Sequence, residues 1–293
     1  MQTKQQIREL LLSVGISPNK RFGQHFLIDL NLMRLLVDSA KIEKNDIVLE
    51  VGCGTGSLTE ALAERAGRVI AVEIDRKLAE IAAERLVDAE NVKVVNADIL
   101  QSKHKISQKV TCTVTQARER SAGRLLLVAN LPYNVASPVM LNLATGELKA
   151  DEMYVTVQKE VANRMAAGPD SADYGILSIL LAVTGHIRTI RVLKPTVFWP
   201  RPQVDSAMVS FVRDEAGSGL ITDMELLSEL VHLFMSHRRK TVQSCCRLGE
   251  GRLSSVDWPA ILERCGIDPL RRPERLRPED YVALSEYAAK SLF

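Results

Sequence analysis

The sequence predicts a doubly wound α/β domain followed by a small all-helical domain. Three observations support this fold class. Between residues 46 and 167, short apolar stretches alternate with stretches of helical periodicity. The strand-like stretches are apolar at nearly every position rather than at every second one. From residue 221 onward the sequence shows no further strand-like stretch. Strands that are buried on both faces by helices have this composition, as in a parallel sheet.

The predicted elements follow one another in a regular order along the chain. Helices are expected where the apolar residues repeat at helical spacing after a capping residue such as Asp29 or Ser57. The predicted strands are 46–51, 68–75, 91–98, 124–130, 153–158 and 207–213, and the predicted helices beside them are 29–41, 57–66, 76–86, 135–145 and 159–167.

Residues 101–123 interrupt this order. The segment is rich in basic residues and shows no continuous apolar face. Charged segments of this kind are usually solvated. We therefore expect an exposed excursion, with a small β-hairpin at "KVTCTVTQ", residues 109–116, and its role is left open.

The chain divides into two predicted domains. Residues 1–213 form the α/β domain, and the polar, glycine-containing stretch 214–220 reads as a linker. Residues 221–293 form the helical domain, with helices predicted at 223–240, 255–265 and 277–292. Only local basic clusters such as "HRRK" (237–240) could attract phosphate in this domain.

The composition excludes several classes of protein. The chain has 293 residues, a net charge of +2 and five cysteines without a C-x-x-C pair, which indicates reduced thiols rather than disulfides or a metal site. No apolar run approaches the roughly 20 residues of a membrane span, and the N-terminus lacks the apolar core of a signal peptide. We expect a cytoplasmic protein without a metal, in which any nucleic-acid surface is local.

The glycine-rich stretch "EVGCGTG" (50–56) separates the first predicted strand of the sheet from its helix. Gly52, Gly54 and Gly56 allow a tight turn and the close approach of a ligand. Dinucleotide-binding folds carry G-x-G-x-x-G, in which the helix N-terminus is aimed at a pyrophosphate. The shorter spacing here suits a ligand without phosphate and favours S-adenosylmethionine.

Two acidic residues follow the next two predicted strands. Glu73 ends one strand, where its carboxylate can accept both ribose hydroxyl protons, and Asp98 follows the other, where it can accept from the adenine amine. The order of the strands places both acids at the edge of the sheet that carries the glycines. Asp75 is interpreted as a helix cap. The predicted cofactor is S-adenosylmethionine.

The predicted strand 124–130 is followed by a turn, and together they carry the motif "NLPYN" (130–134). This arrangement is suited to methylating an adenine amine. The lone pair of that amine is delocalised into the ring, so the amine is a poor nucleophile. The Asn130 side-chain oxygen and the Leu131 carbonyl could accept its two hydrogens and turn the lone pair toward a methyl group. Pro132 fixes the direction of the carbonyl and Tyr133 can pack on the base.

These motifs, in this order, resemble those of the ribosomal RNA adenine dimethyltransferases (the KsgA/RsmA family), and the resemblance covers nearly the whole chain. It implies a Rossmann-like methyltransferase domain followed by a small helical domain. The further stretches that carry it are "KRFGQHFL" (20–27), "QKEVANRMAA" (158–167), "VFWPRPQVDSAMV" (197–209), "FMSHRRKTV" and "RPERLRPEDYVAL".

The resemblance also implies roles for individual residues. The predicted catalytic residues are Asn130, Leu131, Pro132, Tyr133 and Phe198, with Phe198 stacking on the target adenine opposite Tyr133. The cofactor-binding residues are His25, Leu27, Gly52, Gly54, Glu73, Asp98 and Asn130. Many relatives have Asn at the position of His25. The histidine adds a pH dependence that an asparagine would not have. The weaker RNA-contact candidates are Arg21, Arg164, Arg201, Arg238, Arg239 and Lys240.

The implied activity is N6,N6-dimethylation of two adjacent adenosines in the loop of the 3′-terminal hairpin of small-subunit (16S) rRNA. The implied substrate is a partly assembled 30S particle, which adds a role in subunit biogenesis, and the protein would act as a monomer. Three alternatives stay open: a 23S rRNA adenine methyltransferase of the macrolide-resistance type, a non-catalytic ribosome-assembly factor, and a nicotinamide oxidoreductase. Cofactor-binding titrations and methylation of 30S against 23S substrate would separate them.

Overall fold

The computed structural model describes residues 1–18 and 23–292, which form two compact units. The first consists of Met1–Ala162 and Arg188–Val212, and the second of Asn163–Ile187 and the chain from Arg213 onward. The predicted division at residue 213 thus places residues 163–187 in the first domain, whereas the structure places them in the second unit.

The first unit is built on a seven-stranded sheet. The strands of the described residues are β1 Phe26–Leu27, β2 Ile47–Val51, β3 Arg68–Glu73, β4 Val92–Asn96, β5 Leu100–Ser102, β6 Lys105–Ile106, β7 Leu125–Asn130, β8 Glu152–Gln158, β9 Gly185–Leu193, β10 Phe198–Trp199 and β11 Ser206–Arg213. The order in the seven-stranded sheet is β4-β3-β2-β7-β8-β11-β9. The pairs β2–β3, β3–β4, β2–β7 and β7–β8 are parallel, and β11 is antiparallel to β8.

Helices accompany these strands and also fill the second unit. In the described residues they are α1 Lys4–Ser13, α2 Leu30–Ser39, α3 Ser57–Ala63, α4 Arg76–Arg85, α5 Gln108–Arg118, α6 Ala136–Thr145, α7 Lys159–Met165, α8 Ile176–Thr184, α9 Glu215–Ser218, α10 Met224–Ser236, α11 Val242–Cys246, α12 Trp258–Arg264 and α13 Pro278–Ser291. Short 3₁₀ turns cover Pro195–Val197, Gly251–Ser255 and Pro273–Arg275.

The predicted fold class is confirmed. The central strands β2 and β7 are buried along their length, apart from the last residue of β7, as the continuous apolar pattern indicated. The sheet differs from a purely parallel one at β11, which returns beside β8. Among the described residues, no helix is both long enough and apolar enough to cross a membrane.

The predicted hairpin at residues 109–116 is wrong, because this stretch lies in α5. The β-hairpin lies earlier, between β5 and β6. Val110, Val114 and Ala117 of α5 are buried, at the spacing of one helix face. The β-branched residues of this stretch suggested strands, but the period of the buried positions is helical.

Helix α8 explains why residues 163–187 belong to the second unit. Its sequence, "ILSILLAVT", is apolar almost throughout, and most of its side chains are buried. It packs against α10 and α13 of the same unit. In the predicted linker, Asp214 caps α9 by accepting the Gly217 N–H at 3.0 Å. Helix α10 ends at Ser236, so the "HRRK" cluster follows the helix.

Candidate active site

A cleft opens at the carboxyl ends of β2, β3, β4 and β7 and encloses roughly 830 Å³, the open solvent at its mouth included. This is the edge at which ligands of doubly wound folds bind. The structure brings nine of the predicted site residues to this cleft: His25, Gly52, Gly54, Glu73, Asp98, Asn130, Leu131, Pro132 and Tyr133.

The glycine loop after β2 requires glycine at two positions that face the cleft. Gly52 and Gly54 have φ angles of 78° and 58°. A Cβ added at Gly52 would lie 3.0 Å from the Pro132 ring, and one at Gly54 would lie 2.8 Å from the Phe26 ring. The loop is therefore packed closely against both neighbours, and a side chain at either position would clash with one of them.

Glu73, the last residue of β3, holds the glycine loop in place. The residue is 5% exposed, and its carboxylate accepts the Gly54 N–H at 2.8 Å and the Asp75 N–H at 2.9 Å. Burial raises the pKa of Glu73, and these N–H donors oppose part of that rise. A carboxylate has about four acceptor positions, so acceptor capacity remains that a ribose diol could use.

Glu73→Ala is expected to weaken S-adenosylmethionine binding roughly tenfold to a hundredfold, because a hydrogen-bond acceptor at a buried site is lost. The Gly54 and Asp75 N–H groups lose their acceptor as well, so stability should also fall by about 1–3 kcal/mol. Calorimetry and urea unfolding would measure the two effects, with the exposed Glu84→Ala as the control. Unchanged cofactor affinity would remove Glu73 from the site.

Asp98 lies beyond the end of β4 and is exposed at the edge of the cleft. One carboxylate oxygen accepts the Leu100 N–H at 2.9 Å. This local bond fixes the side chain and leaves the second oxygen available to a ligand. Asp75, as predicted, caps a helix: it accepts the N–H groups of Lys77 and Leu78 at the start of α4.

The Asn130 side chain, at the end of β7, is held on both sides. Its Nδ2 donates to the His25 carbonyl at 2.7 Å, and its Oδ1 accepts from the Thr156 hydroxyl. A carbonyl oxygen only accepts, so the amide nitrogen must face His25 and the amide oxygen must face Thr156.

His25 and Tyr133 form an aromatic pair in the cleft. Their ring centroids are 5.3 Å apart and the planes differ by 29°. The Tyr133 hydroxyl lies 2.6 Å from Ser206 Oγ, and burial raises the Tyr133 pKa. Nδ1 of His25 lies 2.6 Å from the Pro200 carbonyl oxygen, which only accepts, so Nδ1 carries a proton.

Two predicted site residues lie in the core instead of lining the cleft. Leu27 and Phe198 are 5% and 3% exposed and belong to one hydrophobic cluster. They face each other where β1 pairs with β10. In this arrangement Phe198 does not join Tyr133 at the cleft, so its stacking on a base stays a prediction.

The predicted RNA-contact residues are dispersed. Arg21 lies outside the described residues. Arg201 is exposed on the first unit, and Arg164, Arg238, Arg239 and Lys240 are exposed on the second. Arg238 donates to the Ala172 carbonyl at 3.4 Å.

The sequence reasoning missed Glu50, the first residue of "EVGCGTG". The residue is 2% exposed, and its carboxyl group accepts a hydrogen bond from the Thr59 hydroxyl at 2.6 Å. It lines a small cavity together with Gly52 and Asn130. Burial raises the pKa of Glu50 to about 8. An acid inside an otherwise apolar strand was the signal that could have identified it.

Glu50→Gln is expected to gain stability over the wild type as the pH rises. The pKa of Glu50 is about 8 in the folded protein and 4.5 in the reference state. The wild type therefore keeps its full stability below pH 4.5 and loses stability as the pH approaches 8, by about 1.4 kcal/mol per pH unit. Gln stays neutral, so urea unfolding between pH 5 and 8 should show a growing difference between the two proteins. A constant difference would mean that Glu50 is ionised throughout, and the exposed Glu84→Gln serves as the control.

The chemistry of the cleft fits S-adenosylmethionine. Among the described residues that line it there are two acids, Glu73 and Asp98, and no lysine or arginine. A pyrophosphate would be poorly matched here, whereas a cationic sulfonium with a ribose and an adenine finds acceptors. Glu73 would hold the ribose, Asp98 the adenine amine, and the Gly52–Gly54 backbone the methionine portion.

Comparison with known sequences agrees with this interpretation. The family described as "Ribosomal RNA adenine dimethylase" matches residues 15–290. A protein named Ribosomal RNA small subunit methyltransferase A from Anoxybacillus flavithermus is 36% identical over 286 residues, which are 97% of this chain and 95% of that protein. A protein of the same name from Pediococcus pentosaceus is 37% identical over 279 residues, 94% and 92% of the two chains.

Solved structures show the same fold. A dimethyladenosine transferase from Plasmodium falciparum aligns with a TM-score of 0.70 and 23% identity, over 90% of this chain and 97% of that one. The 23S rRNA methyltransferase ErmE aligns with a TM-score of 0.61 and 23% identity, over 90% and 99%. The fold, the cleft and the sequence relatives together place this chain in the ribosomal RNA adenine dimethylase family, whose members use S-adenosylmethionine.

Proposed function

We propose that the protein transfers methyl groups to N6 of two adjacent adenosines in the 3′-terminal hairpin loop of small-subunit rRNA. The observation that carries this proposal is the fixed amide of Asn130 beside the glycine loop, at the edge that also holds Glu73 and Asp98. The relatives that match over nearly the whole chain bear the name of a small-subunit methyltransferase, which favours this RNA over 23S rRNA.

The residues at the end of β7 would prepare the target amine. Bound S-adenosylmethionine would supply an electrophilic methyl group and leave as S-adenosylhomocysteine, and the methylated amine would lose one proton to solvent. Asn130 Oδ1 and the Leu131 carbonyl would accept the two amine hydrogens and turn the nitrogen lone pair toward the cofactor side of the cleft. Pro132 limits the movement of this carbonyl, and the paired rings of Tyr133 and His25 offer a flat surface for the base. These dipoles are fixed before the substrate arrives, which is how such sites accelerate reactions.

The proposed substrate is a partly assembled 30S particle in the cytoplasm, on which the protein acts as a monomer. The resemblance to the family supports this partner. The exposed basic residues of both units would contact phosphates, which position an RNA without reading its sequence.

Methylation of purified particles tests the proposal. Small subunits and large-subunit rRNA, both from a strain that lacks these modifications, would be incubated with the protein and S-adenosylmethionine, and the RNA analysed by mass spectrometry. Dimethyladenosine at two neighbouring positions of the terminal hairpin is expected, with Asn130→Ala as the inactive control. Modification of 23S rRNA alone would favour the large-subunit alternative. Particle binding without cofactor binding would favour an assembly factor.

Reversing the charges of Arg238, Arg239 and Lys240 is expected to weaken binding to 30S particles and to flatten its dependence on salt. Each phosphate contact that is lost lowers the slope of log K against log salt by roughly one unit or less. Cofactor binding should not change. The measurement is particle binding at several salt concentrations, with charge reversal of the exposed Lys4, Arg8 and Arg34 as a control. An unaltered slope would mean that the "HRRK" cluster is only solvated.

A further inference from the structure

The side chain of Asn130 has one orientation in the structure, and two neighbours determine it. The His25 carbonyl receives the amide N–H at 2.7 Å, and the Thr156 hydroxyl donates to the amide oxygen. An amide oxygen has two lone pairs, so one remains for a substrate. The direction of that lone pair depends on both contacts.

Thr156 is well placed to control this direction. It lies in β8 directly beside Asn130 of β7, and its side chain is 0% exposed. Its backbone carbonyl accepts the Leu131 N–H at 3.2 Å. One residue therefore contacts both groups that would accept the amine hydrogens: the Asn130 oxygen through its side chain and the Leu131 peptide through its backbone.

We propose that Thr156 is a positioning residue for methyl transfer, whose hydroxyl fixes the Asn130 amide so that its second lone pair faces the target amine. This inference rests on the proposed function. Without the hydroxyl, the amide is anchored only through its nitrogen, and rotation about the last side-chain bond moves the oxygen out of line. Misplacing an orienting group affects the chemical step more than binding.

Thr156→Val removes the hydroxyl at nearly constant volume. The expected result is a roughly tenfold fall in kcat, with the KM for 30S particles and the affinity for S-adenosylmethionine unchanged. Thr156→Ser keeps the hydroxyl and should restore most of the rate. Thr113→Val is the matched control, because Thr113 is also buried and donates to a backbone carbonyl, but in α5 away from the cleft. A Thr156→Val rate equal to the wild-type rate, or a Thr156→Ser rate as low as that of Val, would overturn the proposal.

A double-mutant cycle separates this inference from the proposed function. If Thr156 acts through Asn130, Thr156→Val should cause no further loss of rate in the Asn130→Ala background. The melting-temperature shifts of the two substitutions should also be non-additive, and this readout does not depend on the substrate. Additive shifts would contradict the Thr156–Asn130 contact whatever the activity. Non-additive shifts in a protein that does not methylate 30S particles would contradict the proposed function alone.

Discussion

Asn130→Ala is expected to lower the rate of methyl transfer about 10²–10³-fold, the usual cost of removing one preorganised polar contact from an active site. The loss should fall on the chemical step, because the amide oxygen matters most when the amine lone pair must face the methyl group. Single-turnover kinetics on 30S particles, following mono- and dimethyladenosine separately, would measure it. The two steps should be affected differently, because a monomethylated amine has one N–H left.

Asn130→Asp should not rescue this loss. The His25 carbonyl faces the amide nitrogen at 2.7 Å, and a carboxylate oxygen in its place would meet another acceptor. Asn91→Ala provides a control, since that amide also donates to backbone carbonyls, those of Ala63 and Ala66, but outside the cleft. Near-wild-type rates for Asn130→Ala in both methylation steps would show that the turn is only scaffolding.

Arg124→Ala is expected to destabilise the first unit by about 3 kcal/mol. The guanidinium contacts the Asp46 carboxylate at 2.7 Å and Glu152 at 2.7 Å, and the Asp46 side chain is 1% exposed. Removing the cation leaves a buried carboxylate without its charge partner, a loss that typically costs 3–5 kcal/mol. Asp46 still accepts the backbone N–H groups of Glu43 and Arg124. The expected destabilisation therefore lies at the lower end of this range.

Urea unfolding would measure this change, and Arg76→Ala is its control. Arg76 pairs with Glu80 at 2.8 Å, but both side chains are largely exposed. Such pairs contribute about 0–1 kcal/mol, so the control should stay close to the wild type. Equal destabilisation by the two substitutions would mean that the Arg124 pair adds nothing beyond an exposed one.

Much of the fold was predictable, because burial on both faces leaves a continuous apolar signal in each central strand. The hydrophobic pattern was not informative where the same residue types can form either a helix or a strand. The valines and threonines of α5 suggested strands, and the apolar run of α8 has no polar face to give it a period. The antiparallel return of β11 beside β8 is a long-range pairing that no local pattern encodes.

The sequence predicted those residues of the cleft that lie at the carboxyl ends of parallel strands. Glu73 and Asn130 reach it for this reason, since the carboxyl ends of such strands meet at one edge. Only the resemblance to the family predicted Phe198 at the cleft. In the structure Phe198 pairs with Leu27 and lies in the hydrophobic core. Thr156 was overlooked because its contact with Asn130 depends on the register of two strands.

The hydrogen bond between His25 Nδ1 and the Pro200 carbonyl limits which ligand groups the ring can contact. Nδ1 is committed to this carbonyl, so any contact between the ring and a ligand falls on Nε2. In the tautomer with its proton on Nδ1, Nε2 is an acceptor, so the ring matches a ligand group that donates a hydrogen bond. An asparagine amide has both a donor and an acceptor, so it would contact either kind of ligand group. The histidine therefore makes this side of the cleft more selective than an asparagine would.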